Sequence, residues 1–255
     1  MITNRAFHFY PGATIAMLIG VAILGALGTW QVQRRAWKME VIAAVTARVD
    51  APPEEISPIV DAFEADEDPE YTPVTARGRY VPSAEFHVFG TIGPRPGYFV
   101  FTRFDQDSDD QTGLESGSSS FFVNRGFVPQ DKRPQIVKAS TEPTIVTGLF
   151  RNAEQKPLFA RWLTPPHQPA ANIWYARDPA LFADTARGKP AGMEARVATG
   201  WYIDSLADGS SGDVFPQGGN TRIEFTNRHL EYALTWYGLG LTLIGVWLAF
   251  SFRRR

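Results

Sequence analysis

A chain of 255 residues with a net charge of −2 and no cysteine has room for one domain with a real core. Disulfides, thiolate metal sites and copper–thiolate chemistry are excluded, and the charge balance argues against a nucleic-acid partner. The four histidines, His8, His87, His167 and His229, are too scattered for a short-range zinc motif.

The first predicted element is a helix. Gly12 to Thr29 is uncharged and approaches the roughly 20 apolar residues that match a hydrocarbon core about 30 Å thick, so a transmembrane helix is predicted over 12–30. Trp30 stands at its border, where aromatic residues anchor spans. Gly25, Ala26 and Gly28 leave a cleaved signal peptide as the alternative, but the apolar run exceeds the usual h-region of about 7–15 residues. Trp30, Arg34, Trp37, Val41, Ala44 and Val45 recur at spacings of three and four, which carries the helix to about residue 49, before Pro52-Pro53. From Ala51 to Glu70 there are eight Asp or Glu and no Lys or Arg: a solvated acidic linker, with one short helix around Ile59 to Phe63 and partner binding as the alternative role.

From 71 to 226 the pattern changes to period two. Val74–Tyr80, Phe86–Phe89, Tyr98–Phe104, Phe121–Val128, Thr144–Arg151 and Val197–Asp204 read as antiparallel strands. The Asp/Gly/Ser-rich stretch 105–120 is predicted to be a hairpin loop. Asp105, Asp107 and Asp109 do not make it a calcium loop, because the sixth position is Asp110 and the twelfth Ser116. Within Asn124-Arg125-Gly126, Gly126 suits a bulge and Arg125 a pair or the surface. His87 in a strand and His167 in a proline-rich loop read as surface residues. Asp178-Pro179 starts a short helix through Ala186. Ser118–Ser120 lack the strand-turn-helix setting of a nucleophile elbow, and no enzymatic activity is expected.

Tyr232 to Phe252 is the second uncharged stretch, so a transmembrane helix is predicted over 229–252. The fold class is membrane α+β: two terminal spans flanking a mainly antiparallel extramembrane sheet, with closure into a small barrel as one arrangement. Both termini then lie on one side. Arg253-Arg254-Arg255 puts the C-terminus in the cytoplasm, while Arg34, Arg35 and Lys38 outvote Arg5 and pull the other way. The tails hold Arg5 and the triplet, +4, which leaves −6 between the spans and is compatible with an export-side domain.

Leu27-Gly28-Thr29-Trp30-Gln31 with Arg34 and Trp37-Lys38, then Val123-Asn124-Arg125-Gly126-Phe127-Val128-Pro129, then Asn227-Arg228-His229-Leu230-Glu231-Tyr232-Ala233-Leu234-Thr235-Trp236-Tyr237 resemble the surfeit locus protein one family of cytochrome c oxidase assembly factors. The motifs stand in the family's order and cover nearly the whole chain. Phe127 departs from it, where tryptophan is more usual, and the insertion after Phe104 is long. The resemblance implies a multi-pass protein of the bacterial inner membrane, with both termini cytoplasmic and the β-rich domain periplasmic. It also implies a role in maturing haem-copper oxidases, with haem a as cargo and oxidase subunit I, haem a synthase and the lipid bilayer as partners.

His229 is the candidate iron ligand. It precedes the uncharged part of the second span by about three residues, with Asn227 as a candidate N-cap. A neutral imidazole is a standard axial ligand, and Tyr232, Trp236 and Tyr237 could wall a porphyrin. Arg34 and Arg35 could bind its propionates bidentately, and Trp30 shares their border. The alternatives stay open: His229 as an interfacial polar residue, and Arg34, Arg35 and Lys38 snorkelling to lipid phosphates. Ala22, Gly25, Ala26 and Thr29, with Gly238, Thr242 and Gly245, would admit a close helix, a planar ligand or a partner's helix. The expected function is an oxidase assembly factor that carries haem a to subunit I, with a haem-free scaffold as the alternative.

Overall fold

A computed structural model describes residues 7–107, 120–154, 164–186, 197–206, 214–219 and 227–252. Arg5, the Arg253–Arg255 triplet, Asp109, Asp110 and Ser116 lie outside them. The chain divides into two compact units, Met1–Thr46 with Ile223–Arg255, and Ala47–Arg222.

The first unit is built from two helices, α1 (Pro11–Val49) and, at the other end of the chain, α4 (His229–Ser251). Pro11 occupies the first turn of α1, where its missing N–H costs nothing. Among the described residues these two helices are long and apolar enough to cross a membrane. Their flanks carry exposed Ile19, Ile23, Leu234 and Leu241, an outer surface suited to lipid and not to water.

The two helices run antiparallel. Trp247 Nε1 donates to Thr14 Oγ1 at 3.2 Å, Gly20 faces Leu243, and the hydroxyls of Thr29 and Tyr237 meet at 3.1 Å. A Cβ on Gly28 would lie 2.6 Å from the Tyr237 ring, so only glycine allows that approach. A Cβ on Gly25, Gly238 or Gly245 would meet open space. Only part of the small-residue pattern therefore serves packing between the helices.

The second unit is a sheet with helices on it. Its strands are β1 (Glu54–Glu55), β2 (Pro73–Ile92), β3 (Arg95–Gln106), β4 (Ser120–Pro129), β5 (Thr144–Asn152), β6 (Ile173–Trp174) and β7 (Trp201–Ser205). Its helices are α2 (Ile56–Glu64) and α3 (Pro179–Ala186). Pairing passes from β2 through β3, β4, β7 and β5 and returns to β2. The long pairings β2–β3, β2–β5, β3–β4 and β5–β7 are antiparallel, but β1–β2, β2–β6 and β4–β7 are parallel. The sheet is thus mixed and not purely antiparallel. Parallel neighbours are joined by long crossovers, which local alternation does not report.

Neighbouring residues of β4 serve opposite faces. Phe122 packs with Phe86, Phe101, Trp174 and Phe182, while Phe121 packs with Val74, Phe104, Phe150 and Trp201. Phe182, Ala183 and Ala186 of α3 cover the first cluster. The second is covered by Ile56, Ile59, Val60 and Phe63, an apolar stripe at spacings of three and four on α2. What reads as a solvated acidic linker therefore contains β1 and α2, with its acids on the outer side of the helix. Arg48 reinforces it by donating to the carbonyls of Asp68 and Glu70 at 3.0 and 2.8 Å.

Arg125-Gly126 forms a bulge opposite β3, with Gly126 at φ 132° against the backbone of Gln217. Arg125 pairs with Glu85 at 3.3 Å.

Candidate functional site

Arg228, not Asn227, holds the N-cap position of α4, and it makes no side-chain capping bond. Among the described residues the Asn227 amide oxygen is buried without a partner. His229 is the first helical residue and is half-buried. Its Nδ1 lies 2.7 Å from Gln31 Oε1 on α1. A carbonyl oxygen only accepts, so Nδ1 carries the hydrogen and the neutral ring keeps its lone pair on Nε2. No described residue bonds Nε2. The ring is thus neither loose in solvent nor sealed by neighbours.

Helical geometry sets what stands behind it. At about 100° per residue, Trp236 and Gly240 fall within about 20° of the His229 direction on α4. Trp236, half-buried, and Tyr237 line a cavity of about 240 Å³ completed by Val21, Gly25, Gly240, Leu241 and Ile244. Tyr237 is held by its Thr29 bond. Tyr232 is 53% exposed, and no hydrogen bond or ring contact joins it to His229 among the described residues.

On α1, Arg34 and Arg35 follow Gln31 at three and four residues and share its face, about one turn away. Arg34 stacks its guanidinium 3.9 Å over the Trp37 ring, and Arg35 is exposed. Trp30 is 53% exposed and, one residue from Gln31, points about 100° away from it. The structure joins His229 to Gln31 and sets Trp236 and Tyr237 together on a cavity wall about two turns further along α4, with Trp30 and Tyr232 apart from both. Gln31 was within reach of sequence reasoning only as a member of the Leu27–Gln31 block; a neutral amide leaves no mark on charge or hydropathy.

The sheet unit carries two further polar clusters. His87 is not an isolated surface residue: its Nε2 meets Glu85 at 3.0 Å, and Arg133 Nε donates to its Nδ1 at 3.1 Å. His167 Nδ1 accepts from the Tyr175 N–H at 3.1 Å, and its ring lies against Trp174. Among the described residues no group of His, Asp and Glu could hold a metal ion. Asp105 and Asp107 serve ion pairs with Arg103 and Arg79.

The other cluster borders a cleft of about 530 Å³ lined by Glu70, Arg151, Glu154, Tyr175, Arg177 and Tyr202, among others. Buried Asp204 accepts from Asn124 at 2.7 Å and from Arg151 at 3.1 Å, while Arg151 also donates to Glu70 at 3.2 Å. Burial, reinforced by the Asp204 carboxylate, pushes the Tyr202 phenol up to about 12. Burial alone would lower the Arg151 guanidinium, yet Tyr202, Asp204, Tyr71 and Glu70 together hold it above its ordinary value. These groups neutralise one another, which is the economy of a structural network.

Comparison with known proteins covers most of the chain. The sequence model described as the SURF1 family matches residues 18–241. The chain is 32% identical over 252 residues to Surfeit locus protein 1 of Homo sapiens, covering 91% of this chain and 75% of the relative. It is 31% identical over 246 residues to Surfeit locus protein 1 of Xenopus tropicalis, covering 91% and 73%. A SURF1-like protein of Drosophila melanogaster is 26% identical over 260 residues, with 93% and 76% covered.

Proposed function

The chain belongs to the SURF1 family, and from that premise we propose that it is an assembly factor for a haem-copper cytochrome c oxidase. In this reading it receives haem a from haem a synthase, holds it at His229 and releases it to subunit I. It is a carrier and turns nothing over. It resides in a bacterial inner membrane, with both termini cytoplasmic and the sheet unit periplasmic; the strand circuit through β2, β3, β4, β7 and β5 supports a barrel-like form for that unit.

The observation that carries the reading is the bond between His229 Nδ1 and Gln31. A histidine that ligates a metal through one nitrogen characteristically donates its other N–H to an oxygen acceptor, which fixes the tautomer and raises the basicity of the ligand. The residues present fit the cargo. His229 Nε2 would take the iron, Trp236 offers an indole on the same side of α4, and Arg34 and Arg35 offer guanidinium groups for the propionates. A single histidine ligand would hold the ring firmly enough to keep it from aggregating and loosely enough to be given up.

Co-expression with a haem a synthase, purification, and visible absorption spectra of the native protein and His229→Ala test this. The expected result is a haem signal in the native protein that the variant loses. A signal unchanged in the variant would remove His229 from the site. No haem in either, with subunit I co-purifying, would establish the haem-free scaffold.

A further inference from the structure

The cavity beside Trp236 has no part in holding iron, since its floor lies deeper in the helix pair. It begins at Trp236 and ends at Ile244, seven to fifteen residues from His229, or about 10–22 Å along α4 at about 1.5 Å per residue. Its lining is apolar: Val21, Leu241 and Ile244 beside two glycines and two aromatic rings. Gly240 and Trp236 lie on the His229 side of α4, so one wall of the cavity shares the face that carries the ligand nitrogen. Gly25 on α1 keeps it open, because a Cβ there would meet nothing within 4 Å.

We infer that this cavity is the seat of the isoprenoid tail of the haem, entered from the His229 end. The inference rests on the carrier reading above and deepens it. Haem a is amphipathic, with propionates on one edge and a farnesyl-derived chain toward the other. With its iron on His229, a ring whose propionates turn to Arg34 and Arg35 directs the opposite edge toward Trp236 and the cavity. Lipid is as apolar as the cavity wall, so the gain is not hydrophobic transfer. It comes from close contact with two rings and from fixing how the porphyrin is rotated about its iron–nitrogen bond, which is what hand-over to a shaped site in another protein requires. The occupant follows from position: the cavity wall begins at Trp236, about 10 Å along α4 from His229 and on the same side of the helix, within reach of a tail carried on a ring at His229.

The test titrates detergent-purified protein with haem b and haem o, which differ by the tail alone, and reads affinity from the absorption spectrum. Gly25→Leu fills the cavity from α1, and Leu241→Trp, at a position 70% exposed, fills it independently from α4. Both variants are expected to bind haem b as the native protein does and haem o about tenfold more weakly, a change of about 1.4 kcal/mol. Partition of haem o into micelles cancels, because each variant is compared with native protein in the same detergent. Native haem o affinity in both variants would overturn the inference. Parallel loss of both haems would also overturn it, by making the cavity part of the ring's seat. Absence of haem binding by the native protein, or full binding by His229→Ala, would instead overturn the carrier reading, and the tail seat with it.

Discussion

In the sheet unit Phe86, Phe101, Phe122 and Phe182 are sealed from solvent and touch one another, with Phe86 and Phe182 stacked at 4.7 Å. In the helical unit Leu234 and Leu241 stand 64% and 70% exposed, and the helices meet through Gly20, Gly28 and a few side-chain hydrogen bonds. The sheet unit folds by withdrawing apolar surface from water. The helix pair, in lipid, gains nothing that way and depends on close approach and polar contacts. The same residue type therefore has opposite worth in the two places, and a polar pair such as His229 and Gln31 is a large part of what distinguishes one helix face from another.

The largest test of that contrast is Phe182→Ala. Loss of this ring from a sealed cluster is expected to cost about 3–5 kcal/mol, read as a lowered denaturation midpoint. Leu234→Ala, at a lipid-facing position 64% exposed, should leave helix content and thermal stability unchanged. If the two substitutions cost the same, the contrast fails.

Alkali should separate the units next. Tyr202 titrates at about 12 in the folded protein, against an ordinary 10.0. Its contribution is fully present below pH 10 and is lost as pH rises from 10 to 12, about 2–3 kcal/mol in all. Tyr202→Phe should be less stable at neutral pH, having lost a bond from Arg177, but should show a shallower decline between pH 10 and 12. An unchanged slope would place the titrating group elsewhere.

Gln31→Leu should weaken haem binding by about 10–100-fold while leaving helix content intact, because it removes the acceptor that orients the ring. Unaltered affinity would make the bond incidental. The smallest effect is expected from Gly28→Leu, which forces Tyr237 aside and should cost about 1–2 kcal/mol of helix pairing, measured by thermal unfolding in detergent. Tyr237→Ala in the same chain should relieve most of that loss.

Local pattern carried much of this into the sequence. The spacing of Trp30, Arg34, Trp37 and Val41 belongs to one unbroken helix, and alternation after Tyr71 belongs to strands, because both signals arise from residues a few positions apart. A glycine inside the Phe121–Val128 run signalled the bulge at Gly126. What stayed hidden is non-local. β7 lies parallel to β4, about 80 residues away, through pairings no local period encodes. Likewise Arg133, which fixes His87, is 46 residues from it, and Gln31 is 198 residues from His229. Asn227 is a better capping residue than Arg228 by type, but the helix begins one residue later than type alone implies.

The central claim is that the His229 imidazole is an iron ligand, and chemical rescue tests it most directly. His229→Gly, co-expressed with haem a synthase and purified, should lack the haem absorption of the native protein and regain it when free imidazole is added. A variant that keeps the native spectrum without imidazole would contradict the account.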